Sequence, residues 1–281
     1  MAKPLSPGLY VAATPIGNLQ DVSDRLRQVL AEADLILCED TRVTGKLLLA
    51  LGLPKRPLKP YHEHNAAEAR PDILARLEEG ASIALVSDAG TPLISDPGYK
   101  IVREARDAGH AVMAVPGPSA LTAALSIAGA PTDRFTFLGF LPKGPGQKRH
   151  LFEEFAARKE TLVAYETGPR LASSLEAVAE TLGPRRVAVA RELTKLHEEV
   201  VEGDAETLAE RYRDAPPKGE IVLVIHPGAE EKTSEADLDA ILHELLSERS
   251  VKEAARMAAD RTGLPKKDCY ARALALQPPR S

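Results

Sequence analysis

Ile83 to Gly98 reads IALVSDAGTPLISDPG, and the fold follows from how that stretch changes character. Ile83, Ala84, Leu85 and Val86 form a short apolar run, the pattern of a strand buried on both faces in a parallel sheet. Ser87, Asp88, Ala89, Gly90, Thr91 and Pro92 then bring small side chains, a flexible glycine and several hydrogen-bonding groups. They stand just past the strand's carboxyl end, where open α/β sheets place their ligands. So long a loop, with two turn-forming segments in succession, exceeds what joining a strand to a helix requires. Its far end has a second reading, in which Asp96 caps a helix starting near Tyr99 and Pro97 occupies the first turn. Capping and ligand binding use the same residue types, so both readings stay open there.

Strands and helices alternate on either side of this segment. Gly8 to Ala13 reads as the first strand, Thr14-Pro-Ile-Gly-Asn18 as the turn at its end, and Ser23 to Glu32 as a helix capped by Ser23. Leu35 to Cys38 is a buried strand that delivers Glu39-Asp-Thr-Arg42 to its end. A short helix around Lys46 to Leu51, a Pro-rich connection and Tyr61-His-Glu-His-Asn65 precede a helix over Ala67 to Glu79. Helix Tyr99 to Ala108, strand Ala111 to Val115 and helix Ala120 to Ala128, opened by Pro116-Gly-Pro-Ser119, complete the first half. This alternation predicts βαβ units and a largely parallel sheet.

Phe135 to Leu138 predicts a strand and Leu141 to Arg149 a turn-rich, basic stretch. A second α/β unit follows, with strands at Leu162–Tyr165, Val187–Arg191, Glu199–Gly203 and Glu220–His226 and helices at Arg170–Leu182 and Ala205–Arg213. Pro227 to Ser234 reads as a linker. Helices over Ala236–Leu246, Val251–Arg261 and Lys266–Leu276 close the chain, the last two separated by Gly263 and Pro265 at helix-turn-helix-like spacing. The expected division is therefore 1–118 and 119–228 as α/β domains, with 234–281 as a small helical domain.

The 281 residues suffice for two cores, and a 44% apolar content supports globularity. No run of eighteen apolar residues and no secretory leader is apparent, so the expectation is a cytoplasmic protein without a membrane span. Cys38 and Cys269 are far apart and lack metal-ligand neighbours, which reads as reduced, structural thiols. The net charge of −5 is unevenly spread: from Arg249 to Ser281 it is +5, against −10 for the rest. A basic tail on an acidic body is the local footprint of a nucleic-acid partner.

Three loops, Thr14–Asn18, Ser87–Pro92 and Pro116–Ser119, lie at carboxyl ends of strands and so converge on one crevice suited to a nucleoside-like ligand. Ser119 opens a helix, where it caps or places backbone N–H groups near a carboxylate. Neither G-x-G-x-x-G after a strand nor G-x-x-x-x-G-K-[ST] occurs, so dinucleotide and NTPase loops are unsupported. A second group, Glu39, Asp40, Arg42, His62, Glu63, His64 and Asn65, fits general acid/base and substrate-orienting work. Asp40 is the first choice for a base and His62 the second. No metal is expected, because His62 and His64 on an extended segment point to opposite faces. The alternative is a plain ion pair between Asp40 and Arg42 near a helix start.

Eight segments together carry a resemblance: LYVAATPIGNLQD (9–21), CEDTR (38–42), YHEHN (61–65), ALVSDAGTPLISDPG (84–98), VPGPSA (115–120), FLGFLPKG (137–144), YETGPR (165–170) and KGEIVLVI (218–225). In that order they resemble the successive motifs of the small-subunit ribosomal RNA cytidine-2′-O-methyltransferases, within the tetrapyrrole (corrin/porphyrin) methylase superfamily. The basic tail is similar to that family's helix-turn-helix appendage. The resemblance implies two α/β domains with S-adenosyl-L-methionine in the cleft between them, commonly in a homodimer, and small-subunit ribosomal RNA or the small ribosomal subunit as substrate. Carried over by position, Pro15, Gly17, Asp88, Ala89, Gly90, Thr91, Pro92, Ser95, Ser119 and Ala120 would line the cofactor cleft. Tyr165, Glu166, Glu220 and Ile221 would close over it. Gly90-Thr-Pro92 stands where members acting on tetrapyrroles carry Gly-Asp-Pro, which weighs against a corrin or porphyrin methyltransferase. The rival from another class is a non-catalytic RNA-binding or assembly factor that uses only the tail.

Overall fold

The structure, a computed structural model, describes residues 5–228 and 235–276. The described residues up to Gly228 form one compact unit and those from Glu235 onward a second. The first unit begins with β1 (Gly8–Ala12), α1 (Asp24–Glu32), β2 (Leu35–Cys38), α2 (Thr41–Ala50), β3 (Leu58–Pro60), α3 (Ala66–Glu78), β4 (Ser82–Leu85), α4 (Tyr99–Asp107) and β5 (Val112–Val115). These strands make one wholly parallel sheet in the order β3-β2-β4-β1-β5. The Ile83–Val86 run lies in its centre and is fully buried, because helices cover both faces. Leu26, Val29 and Leu30 of α1 pack on one face, and Ile73, Leu77, Ile101 and Ala105 of α3 and α4 on the other.

Several local expectations change. α2 starts five residues earlier than its apolar pattern suggests, at Thr41, because Asp40 caps it by accepting the Arg42 N–H at 2.8 Å. The Pro-rich connection contains the edge strand β3, where the prolines are tolerated. Asp96 does not cap α4: the N-cap is Gly98, at φ 141°, where an added Cβ would sit 3.0 Å from Leu85 Cδ2. Close packing on the central strand, rather than a side-chain cap, sets that helix start.

The rest of the unit comprises α5 (Ala120–Ile127), β6 (Phe135–Phe140), α6 (Pro145–Glu153), β7 (Thr161–Thr167), α7 (Gly168–Leu182), β8 (Arg186–Arg191), β9 (Glu199–Asp204), α8 (Ala205–Asp214) and β10 (Glu220–Ile225). The basic Leu141–Arg149 stretch is thus partly helical, with Pro145 at the first turn of α6. The second sheet, β6-β7-β10-β8-β9, is parallel only at β6–β7. The other three pairings are antiparallel, so the second α/β unit differs from the first in its sheet. For β8 and β9 the reason is local: the loop 192–198 joining them is too short for a crossover of a dozen residues. α6, α7 and α8 bury Phe152, Leu171, Leu175 and Leu208 against one face. α5 covers the other, its Ala124 and Leu125 packing with Val163, Ala188, Val222 and Val224.

The second unit is a helical trio, α9 (Glu235–Leu246), α10 (Val251–Thr262) and α11 (Lys266–Ala275). A capping box between Ser250 and Glu253 starts α10, and Gly263 in the left-handed region ends it, so the turn to α11 is encoded at both ends. Leu238, Leu242 and Leu245 close on Ala254, Ala255, Ala258 and Cys269. Cys38 and Cys269 are both buried free thiols. Most of the expected Pro227–Ser234 linker, the expected start at Ser234 and Arg280 lie outside the described residues.

Candidate active site

The three loops at the carboxyl ends of the parallel sheet are stitched to one another. Thr14 and Gly90 exchange both backbone hydrogen bonds, at 2.9 and 3.1 Å, and the buried Thr14 hydroxyl donates to the Ser87 carbonyl at 3.1 Å. The Thr91 hydroxyl donates to the Pro118 carbonyl at 3.0 Å, which ties the central loop to the one before α5. Gly90 sits at φ 82°, and a Cβ there would lie 3.2 Å from Ile16 Cγ2. A side chain at this position would enter the space the loops enclose.

That space is a mainly apolar cavity of about 380 Å3 between the two sheets. Asp88, Ala89, Gly90, Thr91, Ser95, Ser119 and Ala120 line it from the first half, and Tyr165, Glu166, Glu220 and Ile221 from the second. Pro15, Gly17 and Pro92 do not line it. Pro15 and Pro92 are buried within their loops, and the exposed Gly17 lies against the Lys195 side chain, which an added Cβ would meet. Lys195 in turn pairs with Glu192 and Glu220, each at 2.8 Å, so this contact joins the first loop to the second sheet. Ser119 makes no side-chain cap; its carbonyl accepts from the Ala123 N–H instead.

Sequence reasoning missed Ile94, Phe140, Thr167, Leu193 and Val222 as lining residues, while Ile16 and Gly219 fall in stretches it did bring to the cleft. Asp96, left open between cap and ligand site, also lines the cavity. Its carboxyl is half-buried and pushed up to about 6, first by burial and then by the charge of Glu39. Glu166 lines the cavity with little of its carboxylate, which is turned inward. Oε1 accepts the Thr167 N–H at 2.8 Å and meets Arg170 at 3.2 Å, while Oε2 accepts from the Ser174 hydroxyl at 2.5 Å. Lys148, 1% exposed, completes this network through Ser173 and Ser174 at 2.8 and 2.7 Å.

A second, polar cavity of about 510 Å3 holds Glu39, Asp40, Thr41, Arg42, Pro60, His62, His64 and Asp88. Glu63 is exposed outside it. The segment 63–65 is a turn rather than extended, so the His62 and His64 rings come within 6.0 Å, centroid to centroid, instead of facing opposite ways. Among the described residues no three His, Cys, Asp or Glu side chains are grouped to hold a metal ion. The buried His62 Nδ1 has no hydrogen-bond partner, an orphan that a ligand group would satisfy. Asp40 meets Arg42 at 2.6 Å and is held down to about 2, chiefly by that side-chain hydrogen bond. A carboxylate so engaged on both oxygens is a poor proton acceptor and a good brace for the guanidinium. Asp88 belongs to both cavities, as does Glu39, and Asp88 Oδ1 accepts the Asp40 N–H at 3.1 Å.

Known proteins are similar in sequence over nearly the whole chain. The family model for Tetrapyrrole (Corrin/Porphyrin) Methylases matches residues 8–209, and that for the RsmI C-terminal HTH domain matches 232–277. The chain is 48% identical over 278 residues to ribosomal RNA small subunit methyltransferase I of Mesorhizobium japonicum, covering 98% of this chain and 94% of that one. It is 50% identical to the protein of the same name from Erythrobacter litoralis, with 98% of each covered. A solved uroporphyrin-III C-methyl transferase from Thermus thermophilus, complexed with S-adenyl homocysteine, shares the fold at TM-score 0.52 and 18% identity over 78% of this chain and 97% of that one. The chain is a methyltransferase that belongs to the tetrapyrrole (corrin/porphyrin) methylase family and carries a C-terminal helix-turn-helix unit.

Proposed function

We propose that this protein transfers a methyl group from S-adenosyl-L-methionine to a cytidine ribose 2′-hydroxyl in small-subunit ribosomal RNA. The observation that carries the reading is the junction of an apolar cavity, floored by small residues, with a polar one, Glu39 and Asp88 belonging to both. The apolar cavity suits the cofactor in size and chemistry: ligand sites of this kind run from about 300 to 1,000 Å3 and add a few placed polar groups to apolar walls. The Gly90 cradle supports the same fit, since a Cβ would fill space a ligand needs. Gly90, Ser95, Ser119 and Ala120 would hold the cofactor from one side, Tyr165, Glu220 and Ile221 from the other. When bound, S-adenosylmethionine supplies a methyl made electrophilic by its sulfonium charge. The chain's own residues orient the acceptor, exclude water and take up the hydroxyl proton.

Arg42, braced by Asp40, would hold a phosphate of the RNA, and His62 a neighbouring polar group. Relatives named for small-subunit ribosomal RNA, at 48% and 50% identity, favour an RNA substrate over a tetrapyrrole. The division into domains 1–118 and 119–228 is part of this reading, supported by α5 packing on the second sheet. So are a homodimer and a cytoplasmic site of action, the compartment of ribosome assembly. Mapping 2′-O-methyl groups in ribosomal RNA from cells with and without the gene tests the proposal. A map unchanged at every small-subunit cytidine would overturn it.

The C-terminal unit would recruit the RNA. Arg272 is spent on Asp239, at 2.6 Å through both nitrogens, and Arg261 pairs with Glu244 at 3.3 Å. Lys252, Arg256, Lys266 and Lys267 remain on the exposed surface. Truncation after Gly228, where the first compact unit ends, is expected to raise the apparent KM for RNA while sparing cofactor affinity. Neutralising about four phosphates predicts a log–log salt slope near −0.7 per contact on single strands, a slope the truncated protein should lose. Equal RNA binding by both forms at low and moderate salt would leave the unit a structural role.

A further inference from the structure

We propose that the end of the apolar cavity bounded by Phe140 and Asp96 is the target-nucleoside subsite, the Phe140 ring stacking on an extruded base and the Asp96 carboxylate accepting the ribose 2′-hydroxyl proton. The inference rests on the RNA 2′-O-methylation reading above and gives that reaction its base and its base-stacking residue. Transfer needs the reacting atoms about 3–3.5 Å apart. It therefore occurs where the two cavities meet, at Glu39 and Asp88. Asp96 lines the apolar cavity and feels the charges of both carboxylates, which places it at that junction.

The Asp96 segment is held rather than free. Leu93 at φ 72° packs into the core beside β4, Ser95 lies at φ 66°, and Gly98 is pressed on Leu85. Such backbone persists only where the surroundings over-determine it. The Ser87 hydroxyl donates to the Ala89 and Gly90 carbonyls at 3.2 and 3.1 Å, which fixes the central loop beside this segment. Of the other candidates, Asp40 is tied up on Arg42, and Asp88 already accepts the Asp40 N–H. A carboxyl at about 6 is ionised at neutral pH and closer to the working pH than an ordinary one.

Phe140 reaches the same place by a different device. The register of β6 on β7 shifts between Phe137 and Phe140, with Gly139 at φ 69°, and such bulges re-aim side chains beside active sites. The ring is left 60% exposed on the cavity wall, set edge-to-face on Tyr165 at 5.3 Å. A Cβ on Gly139 would lie 3.5 Å from Ser95 Oγ, so the bulge abuts the Asp96 segment itself. Tyr165 is half-buried and set edge-to-face against both Phe137, at 4.9 Å, and Phe140, which leaves Phe140 as the more open aromatic at this end. Enzymes that act on single nucleotides read splayed-out bases by stacking of this kind. In the step itself the 2′-oxygen forms its bond to the methyl carbon as the S–C bond breaks. The sulfur keeps that electron pair and becomes a neutral thioether, and the proton passes to Asp96.

The test is methylation of small-subunit particles by full-length protein, in steady state and in single turnover with saturating RNA. Phe140→Ala should raise the KM for RNA about 10- to 100-fold with cofactor affinity and oligomeric state unchanged, and Phe140→Trp should restore it. Asp96→Asn should cut the saturated single-turnover rate about 10²- to 10⁴-fold at unchanged KM. In the wild type that rate should rise with pH through about 6, since only the ionised carboxylate accepts a proton; the variant should lose this limb. A wild-type rate in Asp96→Asn removes the base assignment. Loss of cofactor affinity in Phe140→Ala assigns the ring to the cofactor, and a changed oligomeric state assigns it to a face between copies; either overturns the subsite. Failure of the wild type to modify any ribose instead overturns the parent reading, whatever the variants do.

Discussion

Gly90→Trp is expected to lower affinity for S-adenosylhomocysteine by at least about 100-fold, close to 2.7 kcal/mol, in calorimetric titration. The side chain would start 3.2 Å from Ile16 and 3.7 Å from the Pro118 carbonyl and could grow only into the cavity. Part of any loss could come from backbone strain, because Gly90 lies at φ 82°, where L-residues cost about 1–2 kcal/mol. Gly109 supplies the control. It lies at φ 84°, in the turn after α4, with nothing within 4 Å of an added Cβ. Gly109→Trp therefore carries the same strain without filling the cavity and should bind within about twofold of wild type. Equal affinity losses in the two folded variants would show that strain alone acts and would remove the cofactor from this loop. A loss confined to Gly90→Trp ties the ligand to the loop that ends the central strand.

The central strand was readable because burial on both faces leaves an unbroken apolar run, and its loop because a chain that merely turns does not need so many small polar groups. What sequence could not carry was decided by partners remote along the chain. Nothing in Val187–Arg191 distinguishes a parallel neighbour from an antiparallel one; the short 192–198 connection does, once the strand ends are known. Asp96 suited a cap as well as a cavity wall, and only the approach of Gly98 to Leu85 settles which. Phe140 is one more aromatic in a strand until the bulge turns it outward. Asp40, chosen from its place at a strand end, is spent as a cap and as the partner of Arg42 two residues on. That pairing near a helix start was the alternative the spacing also offered, and the cap on the Arg42 N–H goes with it.

Lys148 is the sharpest of these cases. In a stretch reading Lys143-Gly-Pro-Gly-Gln-Lys-Arg149 it looks solvated, yet α6 carries it to the floor of the second half, buried with Glu166 at 3.8 Å. Burial depresses its proton affinity more than Glu166 restores it, so the ammonium depends on its hydrogen bonds to Ser173 and Ser174. Removing one member of such a buried pair typically costs about 3–5 kcal/mol, and because Glu166 keeps Arg170 at 3.2 Å the loss here falls at the lower end. Lys148→Met is expected to lose that much in urea unfolding, mainly as a lower midpoint at unchanged slope. Lys148→Arg should also destabilise, since a planar fork does not replace a compact ammonium among two hydroxyls. The double variant Lys148→Met/Glu166→Gln should lose less than the two singles summed, because neither leaves a buried charge facing the other. The same network fixes the cavity: Glu166 holds the Thr167 N–H, and Arg170, paired with Glu166, donates to the Leu141 and Pro142 carbonyls. Cofactor affinity in folded Lys148→Met should therefore fall as well, by more than in a core variant of equal stability such as Leu175→Ala. Strictly additive unfolding energies, or cofactor affinity that tracks stability alone in both variants, would make Lys148 an isolated buried cation rather than the anchor of the cavity floor.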